Sequence, residues 1–206
     1  MVILIRWITV TLYWYRMHEK DRLRAHYKQK RRAFDTSHKA KLDAQVAAKV
    51  LAYCRAHQRF QHIHFFLPIA KLSEIDTFPI VRELLAAGNH VYTSITDHVN
   101  GGMKTVEIFS NTQYVNDQWG IPVPIEAEEV DEKCIEIVFI PLLVCDLKGN
   151  RIGYGKGFYD QFLSRLSPEV FKVGLSYFVP EISIPAEPHD ISLDICILPS
   201  GIIEFN

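Results

Sequence analysis

The segment with the most chemical content is DLKGNRIGYGKGFYD, Asp146 to Asp160. It carries glycines at 149, 153, 155 and 157, the last three alternating, directly behind a run of buried character that ends in Pro141–Cys145. Alternating glycines let the chain turn tightly and aim several backbone N–H groups at one anion. A helix starting immediately afterwards adds its positive end. Arg151 and Lys156 supply mobile positive charge, and Asp160 places a carboxylate one turn further in. Phosphate with a magnesium ion is the ligand class that suits such a loop.

The pattern matches neither common phosphate fingerprint. Asn150 stands where a Walker loop needs glycine, and Gly157 follows Lys156 where that loop needs serine or threonine. Phe158 stands where the dinucleotide fingerprint needs its third glycine. Taken as physics alone, the alternation also suits a flexible surface turn. Elsewhere the chain shows no convincing Ser-His-Asp or Cys-His arrangement. His62 and His64 alternate on one strand face with no third ligand in sight, which reads as core or edge histidines rather than a metal site. Cys54, Cys134, Cys145 and Cys196 form no CxxC pair and lie in or beside apolar stretches. They read as small buried hydrophobes of a reducing compartment, and the cytoplasm is the expected location.

The elements around the loop alternate in period. The stretch from Arg16 to Lys41 has ten basic residues against three acidic, a local charge of +7, with no Gly or Pro to interrupt a helix. Lys20, Arg24 and Lys28 share one helical face, with Leu23 and Tyr27 on the next. Ser37 is the expected cap of a second helix burying Ala44, Ala47, Val50, Leu51 and Cys54. Strands are predicted at 62–67, 90–96, 103–109, 135–140, 171–177, 193–198 and 202–205. Helices are predicted from a Thr77 cap to a terminating Gly88 and over 157–166. The continuous run IEIVFI reads as a strand buried on both faces. This order predicts one α/β domain of three layers, a mostly parallel sheet with helices on both faces.

The chain has 206 residues, 48% hydrophobic and 23% charged, with a formal charge of −1. That excludes a disordered or low-complexity protein and one that coats nucleic acid over its whole surface. Residues 1–16 (MVILIRWITVTLYWYR) are apolar but interrupted by Arg6, too short to span a membrane, and followed by no cleavage site. They are expected to be a non-native or disordered extension, with Met17 the biological start and a single domain over 17–206.

The glycine-rich loop, GNRIGYGKGFYD, resembles the GNRLGxGxGYYD signature of the 5-formyltetrahydrofolate cyclo-ligase family. Four further segments are similar in the same order. Lys20-Asp-Arg-Leu-Arg24 resembles the family's KxxLR, and Phe66-Leu67-Pro68 with Ser73–Thr77 its FLP…SEVDT stretch. Trp119–Pro122 with Pro124 resembles WGIPxP, and Pro188-His189-Asp190 with Leu193-Asp194 the closing PHDxxLD. The resemblance spans residues 20–194.

It implies an enzyme that closes 5-formyltetrahydrofolate to 5,10-methenyltetrahydrofolate with ATP and Mg2+, releasing ADP and phosphate. Carried over by position, Lys20, Arg24, Arg151, Gly153, Tyr154, Gly155, Lys156, Gly157, Phe158 and Tyr159 would bind ATP. Leu67, Glu74 and the Tyr154–Phe158 stretch would line the folate site, and Asp160 and Asp194 would hold magnesium. Arg151, Lys156 and Tyr159 would carry the catalytic work. Phe158 departs from the signature and loses the first tyrosine's hydroxyl. A monomer is expected, with no nucleic-acid or membrane partner. The rival readings are another ATP-dependent phosphoryl-transfer enzyme on the same scaffold, and an RNA-binding module using the basic helix.

Overall fold

The computed structural model describes the backbone of residues 2–97 and 102–205 and the side chains of residues 17–97 and 102–205. Four helices are present: α1 (Val2–Arg32), α2 (Thr36–Ala56), α3 (Phe78–Ala86) and α4 (Phe158–Leu163), with short 3-10 turns at Ala70–Leu72 and Glu132–Cys134. The strands are β1 (His62–His64), β2 (His90–Thr96), β3 (Met103–Ile108), β4 (Tyr114–Asn116), β5 (Pro122–Pro124) and β6 (Ile137–Pro141). They continue with β7 (Val144–Cys145), β8 (Arg151–Ile152), β9 (Phe171–Leu175), β10 (Ile195–Ile197) and β11 (Ile202–Glu204).

Seven strands form the central sheet in the order β11-β10-β9-β6-β1-β2-β3. The four inner pairings are parallel, and only the edge strands β3 and β11 run antiparallel. Two small ribbons, β4–β5 and β7–β8, stand outside it. Because side chains alternate along a strand, β6 divides its residues between two cores. Ile137 and Phe139 face the core covered by α1, α2 and α3, where Phe139 stacks on Phe65 with centroids 4.1 Å apart. Val138 and Ile140 face the second core, closed by Phe162 and Leu163 of α4 together with Leu166 and Leu193. The three-layer, mostly parallel arrangement is therefore present, with three helices on one face and one short helix on the other.

Several local expectations change. The basic segment is one helix only as far as Arg32. Asp35, not Ser37, caps α2 by accepting a hydrogen bond from His38 N at 2.7 Å. Within α2, Ala44 is exposed and Val46 is buried in its place. Thr77 flanks α3 but makes no cap bond, because its hydroxyl donates inward to Phe66 O; Asp76 accepts from Phe78 N instead. Gly88 does follow α3 at φ +87, the left-handed conformation that ends helices. β1 stops at His64 and α4 is only six residues long, both shorter than predicted. Residues 2–16, expected to lie outside the domain, have helical backbone continuous with the basic segment, and their side chains fall outside the described residues.

The histidine pair of β1 separates in role. His64 is fully buried against the Phe162 ring, and burial lowers its pKa to about 3. His62 stacks on His90 of the neighbouring strand at 4.7 Å and shares a hydrogen bond with Tyr92. Cys54, Cys145 and Cys196 are buried thiols, Cys134 is half-buried, and all four are free.

Gly149 shows how tightly the loop is seated. Its φ is +78, and a Cβ there would stand 2.7 Å from Leu193 O, a backbone atom that cannot swing away. Gly149→Ala is expected to cost about 2 kcal/mol or more in urea unfolding. Gly201→Ala, with ordinary φ and nothing within 4 Å, should stay within about 0.5 kcal/mol of the unsubstituted chain.

Candidate active site

Parallel sheets leave their ligand crevice at the strand C-termini, and the chemistry-bearing loops gather there. The loop after β1 carries Leu67 and Glu74, and the segment after β6 leads through β7 into the glycine loop. Helix α1 crosses this region. Its positions Lys20, Arg24, Tyr27 and Arg31 are spaced four, three and four apart, so they form one stripe.

Each member of the stripe is anchored. Lys20, only 7% exposed, places its ammonium 2.8 Å from Asp190 Oδ2 and 3.3 Å from Glu187 Oε2. Arg24 donates from Nε to Gly153 O at 3.3 Å and pairs with Asp21 at 2.6 Å. Its guanidinium lies where a Cβ on Gly155 would stand 3.1 Å away, and Gly155 has φ +90, so glycine is needed there on both counts. Tyr27 donates to Glu181. Arg31 donates from one terminal nitrogen to Tyr154 OH at 2.7 Å and from the other to Leu142 O. Lys28, one position off the stripe, rests its ammonium 5.6 Å from the centre of the Tyr154 ring.

The glycine loop is held from below by Asp146, which is fully buried. Its carboxylate accepts from Lys148 N, Asn150 N, the Asn150 side-chain amide and Ile184 N. Arg151 reaches back across the loop to Asp160 Oδ1 at 2.6 Å and to Ile191 O, and Ile191 N donates to the same carboxylate oxygen at 3.0 Å. Gly155, Lys156 and Gly157 are exposed at the tip, and Gly153, Tyr154, Phe158 and Tyr159 are partly buried. Burial raises the Tyr159 phenol well above its ordinary value.

Glu74 is 4% exposed and accepts from Ile69 N at 2.7 Å, with the Tyr154 hydroxyl beside it. Burial raises its pKa, while Ile69 N–H, the Tyr154 hydroxyl and the Arg31 charge pull the other way. Leu67 is buried on the same loop. The β4–β5 arm bearing Trp119 approaches from the side, with Gly120 against the Lys71 chain. The structure thus brings Lys20, Arg24, Arg151, Asp160 and the 153–159 loop together around α1, and Tyr154 of that loop stands beside Glu74.

Asp194 stands apart. Its carboxylate is 2.9 Å from Lys172 Nζ and accepts from Lys172 N at 2.6 Å, at the beginnings of β9 and β10. Among the described residues no hydrogen bond or ion pair joins it to Asp160. Three residues that belong to the cluster carry no local mark in the sequence: Glu187, Asp190 and Arg31. Asp190 and Glu187 share Lys20, and with His189 they offer ligand atoms all within 4.8 Å of one another. Asp190 lies inside the Pro188-His189-Asp190 segment, but nothing local marks it as the partner of a residue 170 positions away. Arg31 was visible only as one of several charges in a basic run. Two surface grooves beside β3, of about 270 and 350 Å3, share no residue with the cluster.

Residues 16–199 match the sequence profile of the 5-formyltetrahydrofolate cyclo-ligase family. The chain belongs to that family. It is 27% identical over 182 residues to the 5-formyltetrahydrofolate cyclo-ligase of Mycoplasma genitalium, covering 88% of this chain and 98% of that relative. The mouse (Mus musculus) 5-formyltetrahydrofolate cyclo-ligase is 26% identical over 189 residues, covering 85% of this chain and 91% of the relative. The fold is similar to that of 5,10-methenyltetrahydrofolate synthetase from Aquifex aeolicus, with a TM-score of 0.76 and 24% identity over 91% of this chain and 93% of that one. Among the described residues no helix is long and apolar enough to cross a membrane.

The anchoring of Lys20 has a pH signature. Partial burial pushes the Asp190 carboxyl up, but its bonds to the Lys20 ammonium and Glu187 N outweigh this and hold it below its ordinary 3.8. The pair therefore stabilises the fold above the ordinary carboxylate range, and that stabilisation is lost as pH falls through the lowered value. Lys20→Met is expected to lose about 2 kcal/mol of unfolding free energy near pH 7. The gap from the unsubstituted chain should close progressively below about pH 4.

Proposed function

We propose that this cyclo-ligase-family protein closes 5-formyltetrahydrofolate to 5,10-methenyltetrahydrofolate at the expense of ATP, in the cytoplasm and as a monomer. The observation that carries the reading is a glycine loop that contains Arg151 and Lys156, receives Arg24 on Gly153 O with Lys20 one turn away on the same helix face, and sets Tyr154 beside a buried carboxylate, Glu74. A formamide oxygen is a poor leaving group. Transfer of the γ-phosphoryl group to it gives an imidate phosphate; N10 then attacks the formyl carbon and phosphate leaves. Such a transfer needs positioning and charge neutralisation rather than a protein nucleophile.

In this reading Lys20 and Arg24 take the phosphates, and the 153–159 backbone wraps them, with Tyr154, Phe158 and Tyr159 as its side walls. Lys156 and Arg151 neutralise charge on the transferred group, and Tyr159 closes the reacting centre from water. Leu67 and the Tyr154–Phe158 stretch offer flat apolar surface to the folate rings, and Glu74 accepts hydrogen bonds from the pterin. The bonds now seen on these cations exchange for bonds to phosphate.

The donors near Lys20 fit a magnesium ion. Asp190 and Glu187 present hard carboxylate oxygens, Asp160 is tied to the same turn through Ile191 N, and an ammonium already rests between the first two. Asp190 and Glu187 would hold the ion, and Asp160, outside their 4.8 Å group and paired with Arg151, would join them once Arg151 turns to phosphate. Asp194, with Lys172 on its carboxylate, is left out of this set. When bound, magnesium would draw charge from the phosphate oxygens.

Mixing the protein with 5-formyltetrahydrofolate, ATP and Mg2+ should build the near-ultraviolet absorbance of the methenyl product, with none when ATP or metal is omitted. Asp160→Asn should slow this by about a hundredfold or more. Glu74→Gln should raise the folate KM about tenfold. A flat trace from well-folded protein would overturn the reading and favour another phosphoryl acceptor in the same pocket.

A further inference from the structure

Arg31 is 2% exposed, and the proposed reaction assigns it no contact with ATP or folate. It nevertheless stands where the two halves of the site meet. Its donation to Tyr154 OH holds that hydroxyl beside the Glu74 carboxylate, where the phenol and the Arg31 charge both act on Glu74. Its other terminal nitrogen grips Leu142 O, just past the end of β6. The guanidinium carbon lies over the Tyr177 ring, 5.6 Å from its centre. Arg31 Nε is buried without a hydrogen-bond partner among the described residues. A residue retained only for packing gains nothing from a buried donor left bare, at a cost of about 1–3 kcal/mol. On the other side, Arg31 is rigidly joined through α1 to Arg24 and Lys20, seven and eleven residues back on the same stripe.

We propose that Arg31 is a positioning residue that couples the nucleotide half of the site to the folate half, by orienting Tyr154 and through it the Glu74 carboxylate. The proposal rests on the cyclo-ligase reading above. When Lys20 and Arg24 exchange their present acceptors for phosphates, α1 shifts against the glycine loop as one rigid body. Arg31 carries that shift to Tyr154, and Glu74 meets the pterin in its final orientation only then. Arginine is needed because its planar fork serves Tyr154 and Leu142 O at once; a lysine ammonium keeps the charge but cannot hold both in a fixed plane.

The experiment measures 5-formyltetrahydrofolate affinity with and without a non-hydrolysable ATP analogue and Mg2+, together with steady-state KM for both substrates. The unsubstituted chain should bind folate about tenfold more tightly with the analogue than without it. Arg31→Gln should bring that factor to about one and raise the folate KM about tenfold, leaving the ATP KM within about threefold. Arg31→Lys should recover only part of the coupling. A purely structural role would lower the folded fraction, and hence apparent kcat, while leaving the folate KM and the coupling factor unchanged; that result overturns the proposal. If Arg31→Gln does not fold, Tyr154→Phe keeps the ring, removes the relay and decides between the same two outcomes. An unsubstituted chain that turns over with no coupling also overturns the proposal, whereas one that makes no methenyl product overturns the underlying reading.

Discussion

A buried positive charge needs a partner, and the site is organised by that requirement. Helix α1 lays Lys20 and Arg31 against the domain at less than a tenth exposure each, where an unpaired cation costs several kcal/mol. Each finds acceptors on a different loop: Asp190 and Glu187 for one, Tyr154 and Leu142 O for the other. Between them Arg24 lies on the Gly153–Gly155 backbone. Loops far apart in sequence are thereby drawn to one helix, and no other element needs to span them.

The same arrangement closes the cluster on itself. Every cation that would meet a phosphate, apart from the exposed Lys156, has an intramolecular acceptor. Arg151 on Asp160 and Lys20 on Asp190 are ion pairs whose exchange for phosphate oxygens changes partners without stranding a charge in a buried place. The rigid part lies below. Asp146 ties the root of the loop with four hydrogen bonds, Gly149 is pressed on Leu193 O, and the two cores fix β6 and β9 beneath them. A firm root with an exposed glycine tip suits the phosphate-binding role proposed for this loop.

Much of the fold was legible before any coordinates. The inner strands carry unbroken apolar runs because they are buried on both faces, and IVFI in β6 divides cleanly between the two cores. Helix faces set by three- and four-residue spacing were also legible, so Leu23, Tyr27, Val50 and Cys54 are buried where the period places them. Caps were less so. Ser37 and Asp35 are both competent caps, and the choice depends on where packing of Phe34 against Tyr177 and Phe178 ends the first helix. Thr77 has the right residue type, but its hydroxyl is taken by Phe66 O, eleven residues back.

The sequence by itself determined the α/β class, the glycine-rich and cationic character of the 149–160 loop and the charge of the helix that meets it, because these follow from local composition and period. Tertiary structure alone decided which carboxylate faces which cation. Asp190 and Asp194 are four residues apart in one motif, yet one lies on Lys20 and the other on Lys172 at the base of the sheet. Arg31 is indistinguishable from Arg32 in the sequence, but a turn of 100° between neighbours buries the first and exposes the second. Electrostatic partnership depends on distance in space, and the chain's local pattern carries no record of it.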